Sequence, residues 1–348
     1  MVNVGIIGAS GFTGAELLRL LPAHPDLNVK LVTADSQAGV AVADLYPNLA
    51  AAYGDMAFER LDLDNVAQQV DGLDLIFMGL PHGASQLIVP QIRGKVGHII
   101  DMGADFRLDD EALYPEWYGE PHQAPELLGD FVYGLPELFR SDIAGAELVA
   151  APGCYVTTAT LTLAPLVKAG LLEPQGIVVD AACGVTGSGR GAKAGNTFCA
   201  VDENFAAYGL MRHRHTPEMQ MAIGRHAGTE VQLLFTPHLL PANRGILATC
   251  YARPTAGTNS ESLMAALHAA YDAEPFVVVS ERSPSTKAAM GSNTAHLTAM
   301  VDDRTGWAIC LGALDNLTKG SSGQAIQCAN LALGLAETIG LPTVGVAP

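Results

Sequence analysis

The chain has 348 residues, more than one compact core usually holds, so two domains are expected. With 49% hydrophobic and 16% charged residues, it has ample material for a large core, which excludes global disorder. A net charge of −17, from 36 acidic against 19 basic residues, argues against a nucleic-acid partner and an anionic membrane surface, while a few local Arg and Lys can still define a pocket for a small anion.

Six cysteines, Cys154, Cys183, Cys199, Cys250, Cys310 and Cys328, are scattered without a C-x-x-C pair. That pattern signals neither zinc nor a redox dithiol, so no metal is expected, and it suits a reducing compartment. The first strand starts at Val2, leaving no room for a signal peptide, and no apolar run reaches the roughly 18 residues of a membrane helix. A soluble, cytoplasmic protein is expected.

Residues 2–7 form a short apolar run, read as a buried strand. Gly8-Ala9-Ser10-Gly11-Phe12-Thr13-Gly14 follows, and residues 15–21 continue as a helix with Thr13 as its expected N-cap. Strand, glycine turn and helix are the context of a dinucleotide fingerprint. Glycines let the backbone approach a pyrophosphate, and the helix N-terminus supplies N–H groups and positive potential. The spacing here is G-x-x-G-x-x-G rather than the commoner G-x-G-x-x-G. Residues 29–34 read as the second strand. Asp35 at its end stands where an acidic residue grips the ribose 2′-hydroxyl of NAD, whereas Ser36, Gln37 and Gly39 could instead hold a 2′-phosphate. With no arginine close by in sequence, NAD stays open.

Further strands are expected at 73–79 and 98–102, with a helix at 84–92 between them. The alternation predicts a parallel sheet with ligands at the C-terminal strand ends, where His82 and Arg107 fall. Arg107 has a fork suited to phosphate or carboxylate, or to a surface ion pair, and His82 lines the cleft. Residues 111–147, rich in Pro, Tyr, Trp and Glu, read as irregular cover.

Ala151-Pro152-Gly153-Cys154-Tyr155 places a cysteine in a tight turn between an apolar strand-like run and an apolar helical run at 159–169. A thiol there faces the positive end of a helix dipole, which favours the nucleophilic thiolate; a buried structural cysteine is the alternative. From residue 177 onward, strands at 177–182, 231–236, 245–253, 276–279, 295–301 and 307–314 alternate less regularly with helices, the main one at 261–273. A second domain with a largely antiparallel or mixed sheet and helices to one side is expected, with one sheet face available to a partner subunit. A second glycine-rich loop, Gly184-Val185-Thr186-Gly187-Ser188-Gly189-Arg190-Gly191, can nest an anion or lie against a cofactor. In His213-Arg214-His215-Thr216-Pro217-Glu218, Thr216 reads as an N-cap and Pro217 as the first helical residue, so both histidines lie just outside a helix start. A turn at 315–320 leads to a long apolar helix at 321–339, expected to pack back on the first domain. The fold expected is α/β: a Rossmann-type parallel-sheet domain of residues 1–150 and 318–348, plus an α+β domain of residues 151–317 with a large mixed or antiparallel sheet.

The ordered set GASGFTGAELLRLL at Gly8, GADFRL at Gly103, PGCY at Pro152, GSGRGAK at Gly187, HRHTPE at His213, FTPHL at Phe235, RGIL at Arg244 and DNLTKGSSGQAIQCAN at Asp315 resembles the type 1 N-acetyl-gamma-glutamyl-phosphate reductases of arginine biosynthesis, nearly end to end. Aspartate-semialdehyde dehydrogenases are wider relatives. The resemblance implies NADPH-dependent reduction of an acyl phosphate to an aldehyde with release of phosphate, in a homo-oligomer (dimer or tetramer). It implies Cys154 as nucleophile, the histidine pair as acid/base with His215 preferred to His213, and Glu218 orienting. Arg107 and Arg190 are implied for the substrate. For the cofactor it implies Gly8, Ser10, Gly11, Phe12, Thr13, Gly14, Ser36, Pro152, Ser188, Gly189 and Asn316. Two positions depart from the family's habit: Phe12, often Tyr, and Val156, often Pro. Two other readings are the same chemistry on N-acetyl-aminoadipyl phosphate in lysine biosynthesis, and a non-catalytic NADP-binding regulator.

Overall fold

The computed structural model describes residues 1–346. The chain divides into two compact units, Met1–Pro152 with Ser321–Leu341, and Gly153–Gly320 with residues 342–346.

The first unit holds β1 (Val2–Ile7), β2 (Leu27–Ala34), β3 (Glu59–Arg60), β4 (Leu75–Met78), β5 (His98–Asp101), β6 (Val132–Tyr133) and β7 (Leu148–Ala150). All pair in parallel, in the order β3-β2-β1-β4-β5-β7-β6. Val4, Ile6 and Ile7 on β1 and all four residues of β4 are fully buried, which is why these strands read as continuous apolar runs rather than alternating ones. Strand order reverses between β1 and β4, and such a switch point opens a crevice at the C-terminal strand ends. Residues 111–147 are more regular than expected, with short helices at Leu113–Tyr118 and Pro136–Ile143 beside β6.

The C-terminal helix belongs to this unit but is shorter than expected. A π-type turn at Thr318–Ser322 precedes it and it spans only Gly323–Ala332. Gly334 at φ +70° ends it, with the Leu335 N–H returning to the Asn330 carbonyl at 2.8 Å. Its face is fixed by polar pins: Gln327 donates to Glu137 (3.0 Å) and Glu337 (2.7 Å), and Asn330 Oδ1 meets His24 Nε2 at 2.8 Å. Residues 342–346 lie in the second unit, not the first, and residues 347–348 of the expected first domain fall outside the described residues. There the Asn293 N–H donates to the Pro342 carbonyl (2.7 Å) and the Val346 N–H to the Met290 carbonyl (2.8 Å).

The second unit holds β8 (Ile177–Gly184), β9 (Ala206–Ala207), β10 (Leu233–Leu240), β11 (Ile246–Ala252), β12 (Val277–Val279), β13 (Ala295–Asp302) and β14 (Trp307–Leu314), in the order β12-β13-β14-β11-β8-β10-β9. The sheet is mixed: β8/β10 and β12/β13 run parallel, the other pairs antiparallel. Burial alternates along β8, with Ile177, Val179, Ala181 and Cys183 inside. Helices Cys154–Lys168 and Ser260–Tyr271 cover that inner face, and the Tyr271 hydroxyl donates to the Leu161 carbonyl at 2.8 Å to join them. Leu234 and Val278 are exposed. Among the described residues, no helix is long and apolar enough to cross a membrane.

Candidate active site

In the first unit the site begins where β1 ends. Gly8 has φ +86°, and a Cβ there would lie 2.5 Å from the Gly79 carbonyl oxygen at the end of β4. A Cβ on Gly14 would meet the Ala9 carbonyl oxygen at 2.5 Å. Both positions therefore demand glycine, and the loop lies close against the sheet. The helix begins at Phe12, earlier than expected, with Gly11 rather than Thr13 as its cap. Thr13 sits inside the first turn, and its carbonyl accepts from Ser322 Oγ at 2.8 Å. Phe12, Thr13 and Gly14 are uncharged, so the positive helix end keeps its potential, and Ser10 stands half-buried before it. A bare glycine loop feeding an uncompensated helix N-terminus fits a pyrophosphate. At the end of β2, Asp35 and Ser36 are exposed.

The other strand ends carry a polar cluster. Asp105 is fully buried, bonds the His82 ring, and accepts from the Gly83 N–H (2.8 Å) and Ser85 N–H (2.9 Å). Burial alone would raise its pKa, but the His82 and backbone hydrogen bonds outweigh it and hold the carboxyl below its usual range. His82 thus braces a loop instead of merely lining a cleft. Asp101, also fully buried, is pushed up to about 7 by burial and then by the charge of Asp105. Arg107 donates from Nε to the Ala151 carbonyl (2.9 Å) and from Nη2 to the Met102 carbonyl (2.7 Å), so its guanidinium is anchored at the ends of β5 and β7. Pro152 is the next residue after that anchored carbonyl.

In the second unit, Cys154 is the first residue of helix Cys154–Lys168, earlier than the expected start, with Gly153 as its cap. The following residues from Tyr155 to Val167 are buried, so the helix end that carries the thiol is held rigidly. Glu218 Oε1 accepts the Gly153 N–H at 2.9 Å, and Glu218 is fully buried. This carboxylate, expected to orient a histidine, grips the backbone of the cysteine turn. A Cβ on Gly153 would overlap the His215 imidazole, so that ring rests directly on the turn.

The histidine helix spans His215–Ala227, with Arg214 as its cap. His215 is therefore its first residue, not a flanking one, and Thr216 is not the cap. His213 remains outside, half-buried among aromatic edges, with ring centroids of Tyr155, Tyr208 and Phe235 at 5.8, 5.7 and 5.1 Å. Its Nδ1 accepts the His215 N–H at 3.2 Å. Burial, reinforced by the charge of Arg214, pushes its pKa down to about 4, so His213 is neutral at pH 7.

Sequence reasoning passed over Cys183 and the tyrosines. Cys183 is buried at the end of β8, where a hydrogen bond with Cys154 and then burial push its thiol well above the usual range. The Tyr155 hydroxyl meets that of Tyr208 at 3.1 Å and the His238 carbonyl at 3.2 Å. The period-two burial of β8, which turns Cys183 inward, is the signal that could have found it. Asn316 is buried and pinned, accepting the Gly245 N–H (2.7 Å) and donating to Thr186 Oγ1 (3.0 Å). Ser188 and Gly189 are exposed in the second glycine loop, where Ser188 Oγ donates to the Val185 carbonyl (2.8 Å) and accepts from Asn196 (3.1 Å). Arg190 follows, half-buried.

Comparison with known proteins agrees with this division. Residues 3–146 match the family model of the semialdehyde dehydrogenase NAD binding domain, and residues 154–316 that of the semialdehyde dehydrogenase dimerisation domain. The chain is 46% identical over 351 residues to N-acetyl-gamma-glutamyl-phosphate reductase of Citrifermentans bemidjiense, covering 100% of both chains. It is 43% identical over 350 residues to the protein of that name from Pseudomonas putida, again covering 100% of both. Among solved structures, aspartate semialdehyde dehydrogenase II of Vibrio cholerae complexed with ASA superposes with a TM-score of 0.70 at 16% identity, covering 96% of this chain and 98% of that one. The Candida albicans aspartate semialdehyde dehydrogenase with NADP gives 0.68 at 12% identity, covering 96% and 100%.

Proposed function

The chain belongs to the N-acetyl-gamma-glutamyl-phosphate reductase family, oxidoreductases of arginine biosynthesis that use a nicotinamide cofactor, and from that premise we propose that it converts N-acetyl-L-glutamyl 5-phosphate to the 5-semialdehyde with NADPH, through a thioester on Cys154. The observation that carries this reading is the cysteine turn: Cys154 opens a buried helix, Glu218 holds the Gly153 N–H, and His215 rests on Gly153.

The Cys154 thiolate attacks the acyl carbon, a C–S bond forms, and the C–O bond to phosphate breaks with its electron pair on the leaving group. Placement at a helix N-terminus favours the thiolate before attack, and first-turn N–H groups favour the oxyanion that develops. Bound NADPH supplies the hydride that reduces the thioester. The tetrahedral oxyanion then re-forms a carbonyl, the C–S bond breaks, and the aldehyde leaves. His215 is the acid/base that takes the thiol proton and returns it. His213, held near pKa 4, is a poor donor at neutral pH and serves by accepting the His215 N–H. Arg107, anchored by two carbonyls, and Arg190 receive the substrate's anionic groups. The loop from Gly8 to Gly14 holds the pyrophosphate. The family resemblance assigns Ser188, Gly189, Asn316 and Pro152 to the cofactor as well. The exposed apolar residues Leu234 and Val278, together with the dimerisation-domain match, support a homo-oligomer.

Cys154→Ser is expected to abolish NADPH-dependent aldehyde formation while cofactor binding, followed by NADPH fluorescence, persists. Substantial reductase turnover in that variant would remove Cys154 from the mechanism.

A further inference from the structure

Asp35, the first residue after β2, carries the acidic group associated with NAD, yet the family's habit is NADP. The fold supplies what the local sequence lacks. The edge strand β3 runs parallel to β2 with Arg60 opposite Ala34, although 25 residues separate Asp35 from Arg60. Arg60 Nη1 lies 3.4 Å from Asp35 Oδ1, with the two side chains 71% and 95% exposed. The connection between them is fixed by backbone: the Gly39 N–H donates to the Phe58 carbonyl (2.7 Å) and the Phe58 N–H to the Val40 carbonyl (2.9 Å). The Tyr46 hydroxyl donates to the Ser10 carbonyl at 2.8 Å and ties the same connection to the glycine loop. Arg60 is thus a built-in neighbour of the β2 end, where the ribose of a dinucleotide lies in a doubly wound sheet.

We propose that Arg60 selects the phosphorylated nucleotide: its guanidinium takes the 2′-phosphate, with the Ser36 hydroxyl alongside, and Asp35 is the counter-ion that keeps the guanidinium in place before the nucleotide arrives. This rests on the NADPH reading above. Alone, the Asp35 carboxylate would repel a 2′-phosphate and hold a bare ribose. Arg60 reverses that preference. An exposed ion pair is weak, so a doubly charged phosphate that accepts two parallel N–H bonds outcompetes the carboxylate.

The test is direct binding to the full chain, independent of turnover. NADPH and NADH are titrated by fluorescence, and each is competed with 2′,5′-ADP and 5′-AMP. Arg60→Ala is expected to weaken NADPH and 2′,5′-ADP by about ten- to a hundredfold, the worth of a hydrogen-bonded charge contact, while NADH and 5′-AMP bind as before. Arg60→Lys, which keeps the charge and loses the fork, should fall between. Because Arg60 is exposed, thermal unfolding of both variants should match the parent. A parent that prefers NADPH and an Arg60→Ala variant that keeps the same ratio would overturn the assignment of Arg60 alone. A parent that binds NADH as tightly as NADPH would overturn the cofactor reading itself.

Discussion

The two turns proposed to carry the chemistry of this chain are held in different ways. The glycine loop after β1 is shaped by backbone against backbone, where a Cβ on Gly8 or Gly14 would strike a carbonyl oxygen of Gly79 or Ala9. The cysteine turn is shaped by side chains from far away in sequence: Glu218 holds the Gly153 N–H across 65 residues, and His215 rests on Gly153. A backbone obstacle cannot yield, whereas an imidazole can swing. The first turn therefore ties function to folding, and the second can lose function while the fold survives.

The comparison is broken most severely at the histidines. His215→Ala should lower turnover by about 100- to 10,000-fold, the worth of general acid–base help, with a small change in melting temperature. His213→Ala should do less to turnover and more to stability, because that ring fills an aromatic pocket. Steady-state kinetics and thermal unfolding of the pair decide it, and the opposite ranking would exchange their roles. The glycines come next. Gly8→Ala should destabilise the first unit by about 2–6 kcal/mol, combining left-handed strain and overpacking of about 1–3 kcal/mol each, as read by urea unfolding. Gly153→Ala should fold with a smaller penalty yet lose turnover, because His215 is displaced. Equal stability losses in the two variants would erase the distinction.

The gentlest lever is pH, to which Asp101 in the first unit and His213 in the second should respond with opposite sign. Asp101 in the first unit is raised from 3.8 to about 7, so between those values the folded chain binds more protons than the unfolded one. Its contribution to stability therefore falls as pH rises through that window and is flat above it. His213 in the second unit is lowered from 6.5 to about 4, so the unfolded chain binds more protons there. Its contribution is complete above pH 6.5 and is lost as pH falls toward 4. Asp101→Asn and a His213→Gln variant should each remove one slope from a plot of unfolding midpoint against pH. Slopes that survive both substitutions would assign the titration elsewhere.

What could be read from sequence follows the same division. β1 at Val2–Ile7 and β14 at Trp307–Leu314 are found at their expected bounds, because largely apolar runs flanked by turns leave little choice. The parallel and mixed sheets follow from the way strands and helices alternate. Local punctuation misled at the helix starts, where Thr13 and Thr216 have good capping chemistry but the backbone turns earlier, at Gly11 and Arg214. The final helix looked longer because its apolar composition runs on past Gly334, where a left-handed residue ends it. Pairings across the fold were out of reach: Arg60 beside Asp35, Cys183 against Cys154, and Glu218 on the cysteine turn all depend on strand register or helix packing.

The central claim is that Cys154 carries the acyl group. Intact-mass spectrometry of the protein mixed with N-acetyl-L-glutamyl 5-phosphate in the absence of NADPH tests it most directly. The account predicts an N-acetylglutamyl adduct on Cys154 that forms with release of phosphate, disappears when NADPH is added, and is missing from Cys154→Ser. An adduct that forms equally in Cys154→Ser, or a parent chain that turns over without ever showing one, would contradict it.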